Sequence, residues 1–578
     1  MHYRFRTFLL IAPVVAALSF DAGPLSPQQP PQPSVEARLR RLTLREKAAQ
    51  LVMPWIAGSY AAFDDPGFAR IVRWVDTLGV GGVIVSIGAP TDIAAKLNFL
   101  QQKARLPLLV AADLEGGTAF RFTGGTGFPT NMGVGASGRD EDAEEMGRII
   151  AREGRAVGIH ITFSPVADVN NNPANPIINT RSFGGDPSAV ARLVAAQIRG
   201  TQGAGMLATA KHFPGHGDTE TDSHLALPVV AADWRRMDSV ELVPFRAAVE
   251  AGVALVMSAH IALPQVDSGF TRPATMAPNV LTGILRDSLG FRGLIVTDAL
   301  DMGGVVNSYG PDEAAVQAIL AGSDILLQPR DPRTAVEAVV RAVQEGRIPR
   351  ERLDRSVRRV LQLKQRLGLF RRRTVNLDSV GYVVGRRAAL DSAQATSARA
   401  LVLLKDSLGV LDSLRRPARR VAIITYGEAN AGTVGAVLSG ELRRRGYPTI
   451  VFRLHPPSGP ASYDSARVML TGGDVRLFVV SVRAREGKGS VAMPEPLARL
   501  IEGTVGGTPT LLVSLGSPYL ITQTPGVPGY LLGWVSNPLV EQAIAAALTG
   551  APITGHLPVA IPPSYPIGAG LQRPASMP

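Results

Sequence analysis

Short apolar, β-branched runs alternate with amphipathic stretches from residue 34 to about residue 370. Eight such runs stand at 50–54, 81–86, 108–113, 160–166, 206–212, 254–260, 294–298 and 324–328. Between them apolar positions recur at helical spacing, as in 141–157, 187–203, 237–251 and 312–321. Eight strand–helix units in succession predict a (β/α)8 TIM-like barrel over residues 35–370. A second series of apolar runs follows at 400–404, 421–425, 449–453, 477–482, 510–515 and 530–535, with helical patterns at 433–445 and 539–548. It predicts a smaller α/β layered domain, an α/β/α sandwich with a mostly parallel sheet, over 397–570. Residues 371–396 read as a connector and 571–578 as a loose tail.

The barrel reading directs attention to the residues that close its strands, because a barrel's site lies at the C-terminal strand ends. Asp113, Lys211, His212, His260 and Asp298 close four of these runs, so chemistry-bearing side chains end several separate strands. Asp168 lies close behind a fifth. His260 reads most simply as a buried histidine with its hydrogen bonds satisfied.

Composition narrows the class. The chain of 578 residues is too long for one ordinary core, and 46% hydrophobic with 19% charged residues is a globular balance. A net charge of +12 and clusters such as Arg371-Arg372-Arg373 and Arg443-Arg444-Arg445 raise the question of nucleic acid. The clusters lack interleaved aromatics and any nucleic-acid motif, so a solvated basic surface is the expectation and no nucleic-acid partner is. The absence of cysteine excludes disulfides, thiolate metal sites and a cysteine nucleophile. At the N-terminus, His2, Arg4 and Arg6 precede an apolar run at 8–20 and a Pro/Gln-rich stretch at 23–33. The run is shorter than the ~20 residues of a spanning helix, so residues 1–22 read as a secretory signal peptide followed by a linker, 23–34. An uncleaved anchor is the alternative; no other stretch reads as transmembrane. The expected location is periplasmic or extracellular.

Four segments carry chemistry. Residues 211–224, KHFPGHGDTETDSH, hold three of the eight histidines. Pro214, Gly215 and Gly217 exclude a regular helix, so a strand end enters a loop here. Lys211 and His212 can bond sugar hydroxyls, and Asp222, two residues before His224, can orient the imidazole and stabilise its protonated form, the equipment of a general acid/base. A metal site built from His212, His216, Asp218, Asp222 and His224 is the rival. It lacks the helical His pair typical of zinc hydrolases. In 290–302, GFRGLIVTDALDM, an apolar strand ends at Asp298, a carboxylate able to attack an anomeric carbon. A helix N-cap is the plainer role for such an Asp, which Asp301 could fill instead. Residues 113–117, DLEGG, with Arg121 beyond, suit a polyhydroxylated ligand or a mere surface ion pair. Arg181, in 179–184, NTRSFG, is a loop arginine that could reach the site.

Residues 211–224 resemble the KHFPGHG…DSH signature of the β-N-acetylglucosaminidase (β-N-acetylhexosaminidase) branch of glycoside hydrolase family 3. Residues 113–117 resemble its D-x-E-G-G turn, 181–184 its R-S-F/Y-G element and 293–302 its nucleophile strand, in the family's order. LLK at 403–405 and GHLPV at 555–559 resemble the second domain of the longer members. The resemblance implies a retaining exo-glycosidase with Asp298 as nucleophile and an Asp222/His224 acid/base pair. It implies that Asp113, Arg121, Arg181, Lys211 and His212 hold an N-acetylglucosamine unit. No metal or other cofactor is implied, and the expected partner is a saccharide derived from peptidoglycan or chitin, bound by a monomer. Two positions depart from the pattern: Thr118 follows the D-x-E-G-G turn where Arg is common, and Ala299 follows Asp298. The alternatives are a β-glucosidase or β-xylosidase, a phosphorylase of the same family, or a carbohydrate-binding protein without turnover.

Overall fold

A computed structural model of the chain describes residues 33–414, 416, 419–428 and 433–576. The expected signal peptide and most of the linker lie outside these residues. Of that linker, Ser34 caps the first helix, Val35–Arg41, by accepting from the Ala37 N–H.

All eight predicted barrel strands form. They are β1 (Val52–Met53) with β2 (Trp55–Ala57), β3 (Gly82–Ser86), β4 (Leu109–Ala112), β5 (Ile161–Thr162), β6 (Leu207–Phe213), β7 (Leu255–Ser258), β8 (Leu294–Thr297) and β9 (Leu326–Leu327). The first predicted strand is split because Pro54 has no N–H to give the ladder. β1 pairs in parallel with β9, and β2 with β3. Strands β2 to β8 run in order as one parallel sheet. Hydrogen bonds from the Thr297 N–H to the Ile325 carbonyl and from the Leu326 N–H to the Leu51 carbonyl close the ring. The strands are buried nearly throughout, as expected of a parallel sheet wrapped by helices.

The helix Pro187–Gly203 matches its predicted span, and Asp140–Ala156 and Pro311–Ala321 fall within a residue of theirs. The pattern at 237–251 instead divides into Trp234–Ser239 and Leu242–Glu250. Glu241, at the break, pairs with Arg236.

A second sheet is built from β10 (Val402–Asp406), β11 (Val421–Gly427), β12 (Thr449–Leu454), β13 (Val475–Ser481), β14 (Thr510–Ser514) and β15 (Gly529–Leu532). Its order is β10-β15-β14-β13-β11-β12, parallel except for the edge strand β10. Ala422, Ile424 and Tyr426 enter one core with Leu470 and Leu500, while Val421 and Ile423 enter another with Leu438 and Ile544. This period-2 alternation, apolar on both faces, produces the α/β/α sandwich.

The helix Arg387–Ala400 runs through the expected end of the connector at 396 and packs on both units. Arg399 forks onto Asp142 of the barrel, and the Trp534 indole N–H donates to the Ala400 carbonyl. The expectation of a loose tail is corrected over residues 571–576. The Leu571 N–H donates to the Leu403 carbonyl, Arg573 pairs with Ile553, and the Arg573 guanidinium reaches the buried Asp406 carboxylate at 2.6 Å. Residue 571 thus joins the edge of the second sheet.

Candidate active site

A cleft of about 670 Å³ opens at the C-terminal ends of the barrel strands. It brings Asp113, Arg121, Arg181, Lys211, His212, His224 and Asp298 together, and Arg483–Glu486 of the second unit form part of its wall.

One wall is a charged lattice. Lys211, on β6, is 2% exposed along its side chain and bonds Asp113 at 2.8 Å and Glu115 at 2.7 Å. Arg181 grips Glu115 with Nε and Nη2, both at 2.9 Å. Burial alone would raise the Glu115 pKa, but the Arg181 and Lys211 charges hold it well below the usual carboxylate range. Burial likewise opposes the Lys211 charge, and Asp113 and Glu115 outweigh it, so its pKa is raised. Arg121 completes the edge, 3.5 Å from Asp113, with its guanidinium over the Phe120 ring. Glu115 was visible in the D-x-E-G-G turn but was not singled out. Its place at the centre of the lattice comes from partners 66 and 96 residues away along the chain.

Three imidazoles meet three different fates. His212 directs Nδ1 to the fully buried Asp168 carboxylate at 2.7 Å, and Asp168 also accepts the backbone N–H groups of His212 and His216. His216 spends both ring nitrogens on Thr219 and Ser223, at 2.8 and 2.9 Å, and burial lowers its pKa to about 4. It is a neutral strut with no ring nitrogen left for a metal. Gly217 follows because a Cβ there would lie 1.7 Å from the Val169 carbonyl oxygen. His224 bonds Asp222 through Nδ1 at 2.7 Å, and the same carboxylate oxygen accepts the His224 N–H at 3.0 Å. Burial works against the charged ring; the Asp222 hydrogen bond and the Asp298 and Glu486 carboxylates outweigh it, raising the pKa.

The second unit takes part. The Gly487 N–H donates to the other Asp222 oxygen at 2.8 Å, and Glu486 lies 4.0 Å from His224 Nε2. Sequence reading did not identify these contacts.

Asp298 follows β8. Its Oδ1 accepts the Ala299 N–H at 2.8 Å, while Oδ2 has no hydrogen bond among the described residues. Burial pushes its pKa up, but the surrounding imidazoles of His212, His260 and His224 bring it down to about 2. Asp301 does not cap the following helix, whose N-cap is Met302; it accepts from Gln328 instead. His260 is buried between Thr275 and the Ala299 carbonyl, as the sequence suggested.

Residues 43–363 match the family described as "Glycosyl hydrolase family 3 N terminal domain". The chain belongs to glycosyl hydrolase family 3. A family relative from Cellulomonas fimi, named "Beta-N-acetylglucosaminidase/beta-glucosidase", is 33% identical over 503 residues, 83% of this chain and 88% of the relative. A family 3 β-N-acetylglucosaminidase from Paenibacillus sp. str. FPU-7 superposes with a TM-score of 0.81 at 33% identity, covering 90% of this chain and 99% of that one. A β-glucoside phosphorylase superposes at 0.81 with 26% identity, over 91% and 95% of the two chains.

Proposed function

We propose that this chain is a retaining exo-β-N-acetylhexosaminidase. It releases terminal β-linked N-acetylglucosamine from peptidoglycan- or chitin-derived saccharides through a glycosyl-enzyme on Asp298. The observation that carries this reading is an ionised Asp298 with one free oxygen in a cleft shared with a raised-pKa histidine. The names of two extensive relatives support the N-acetyl sugar. In the same reading residues 1–22 direct export and the protein works as a monomer. Units 35–370 and 397–570 are then the catalytic barrel and its companion. No helix among the described residues is long and apolar enough to cross a membrane.

The chemistry follows from which atoms are engaged. Asp298 Oδ2 attacks the anomeric carbon, and Oδ1 stays on the Ala299 N–H. His224, with Nδ1 on Asp222, donates its Nε2 proton to the leaving oxygen. The neutral ring then takes a proton from the water that opens the glycosyl-enzyme. Asp222 offsets the imidazolium charge, and the lattice of Asp113, Glu115, Arg121, Arg181 and Lys211 binds sugar hydroxyls.

A second reading, transfer to phosphate in place of water, is favoured by Arg483, which lines the cleft without an ion pair among the described residues. The phosphorylase among the structural neighbours adds to it.

The test compares aryl β-N-acetylglucosaminide with aryl β-glucoside, with and without phosphate. The N-acetyl substrate is expected to be cleaved faster, independently of phosphate. His224→Ala should slow poor leaving groups at least about tenfold more than activated aryl groups. Preference for the glucoside, or equal loss on both leaving groups, would overturn the corresponding part of the proposal.

A further inference from the structure

The groove between the helix Asp140–Ala156 and residues 369–392 measures about 720 Å³ and shares no lining residue with the catalytic cleft. Arg152, Arg155, Arg372 and Arg386 line it, and none of the four guanidiniums makes an ion pair or hydrogen bond to a described residue. Other buried or half-buried arginines of the chain meet carboxylates, as at Asp324 and Asp142. The groove's two acids are already engaged: Glu145 by Arg148, and Glu153 by Thr118, Thr126 and the Gly385 N–H.

Two groups in the groove lack counterparts. Arg155 is partly buried, and burial together with the nearby Arg372 charge disfavours its protonated form. Two guanidiniums held close without an acid between them repel each other unless an anion joins them. His160 is 3% exposed, and its Nδ1 accepts the Val110 N–H at 3.0 Å. The neutral ring therefore carries its proton on Nε2, a donor with no partner among the described residues. The remaining wall is apolar and aromatic, with Ile149, Leu369 and an exposed Tyr382.

We propose that this groove binds a phosphorylated small molecule with a ring. Arg155, Arg372 and the His160 Nε2–H hold the phosphate, and Ile149, Leu369 and Tyr382 receive the ring. Several converging cations suit the multiple charge and oxygens of a phosphate better than a single carboxylate. The apolar wall gives a ring something to cover.

The probe is ADP, titrated calorimetrically into the full chain, with adenosine and inorganic phosphate as the separate halves. ADP is expected to bind more tightly than either half, and a saturating aryl β-N-acetylglucosaminide should not displace it. Arg155→Gln with Arg372→Gln should weaken ADP at least tenfold and leave glycoside hydrolysis unchanged. Arg467→Gln, an exposed arginine elsewhere, should leave both unchanged. Arg372→Gln alone, at an exposed position, provides the same test with less perturbation of the fold. Absence of ADP binding at millimolar concentration, unchanged affinity in both the double and the single variant, or displacement by the glycoside would overturn the proposal. Phosphate binding as tightly as ADP would overturn the ring contact.

Discussion

Charged side chains are buried at both ends of the barrel strands, but the two ends close them off differently. Where the chain enters β9, the fully buried Asp324 carboxylate is enclosed by Arg286 at 2.7 Å, Arg359 at 3.0 Å and Arg352 at 3.7 Å. Just before β1, Gln50 accepts the buried Lys364 ammonium at 2.6 Å, and burial lowers that pKa to about 7. At the opposite ends, the lattice around Glu115 is just as dense, yet it stops at a cleft where Asp298 Oδ2 remains unengaged. Buried charge that is closed on itself is costly where one partner of an ion pair is removed; buried charge that stops at an open oxygen is, under the proposed mechanism, placed to meet a substrate.

Substitution should break this contrast in graded steps. Asp298→Asn, measured as kcat/KM on the aryl N-acetylglucosaminide, should lower turnover about a thousandfold or more while the melting temperature holds or rises. A variant that stays active would remove Asp298 from the reaction. Asp324→Ala should do the reverse, costing about 3–5 kcal/mol in denaturant unfolding because three arginines lose their common carboxylate. Its kcat/KM per folded molecule should match wild type.

Lys364→Met should stabilise. The folded-state pKa is depressed, so the unfolded chain binds the proton more readily between about pH 7 and 10 and stability rises across that window. The gain from Met is therefore largest below about pH 7, of the order of a few kcal/mol, and fades toward pH 10. Equal gains at both ends of this range would point to packing rather than charge. Glu486→Gln is the mildest change. Removing a carboxylate near His224 lowers the imidazole pKa, so the alkaline limb of kcat/KM should move to lower pH with little loss at the optimum. An unmoved limb would show that Glu486 does not act on His224.

How far the sequence revealed these features depended on how local their causes are. The strands were legible because apolar runs at 81–86 or 421–425 carry their own pattern, and the second sheet's alternation was equally local. The break at Pro54 had a local cause but lay at the edge of a predicted run. The histidine loop announced itself by composition, yet nothing in it separates His216, locked by Thr219 and Ser223, from His224. Glu115 depends on approaches by Arg181 and Lys211, and Gly487 on an approach by Asp222 across 265 residues. The tail looked loose because it lacks an apolar pattern, whereas Arg573 is fixed by one buried carboxylate.

The bond from Gly487 to Asp222 is made by the main chain. Its survival does not depend on which side chains surround it, although a φ of +73° at Gly487 favours glycine there. The neighbouring positions 483–486 can therefore drift in sequence while the Asp222–His224 pair keeps its outer tether. For an engineer, under the proposed mechanism, that stretch of the cleft wall is a handle on what leaves the sugar, reached without editing the barrel.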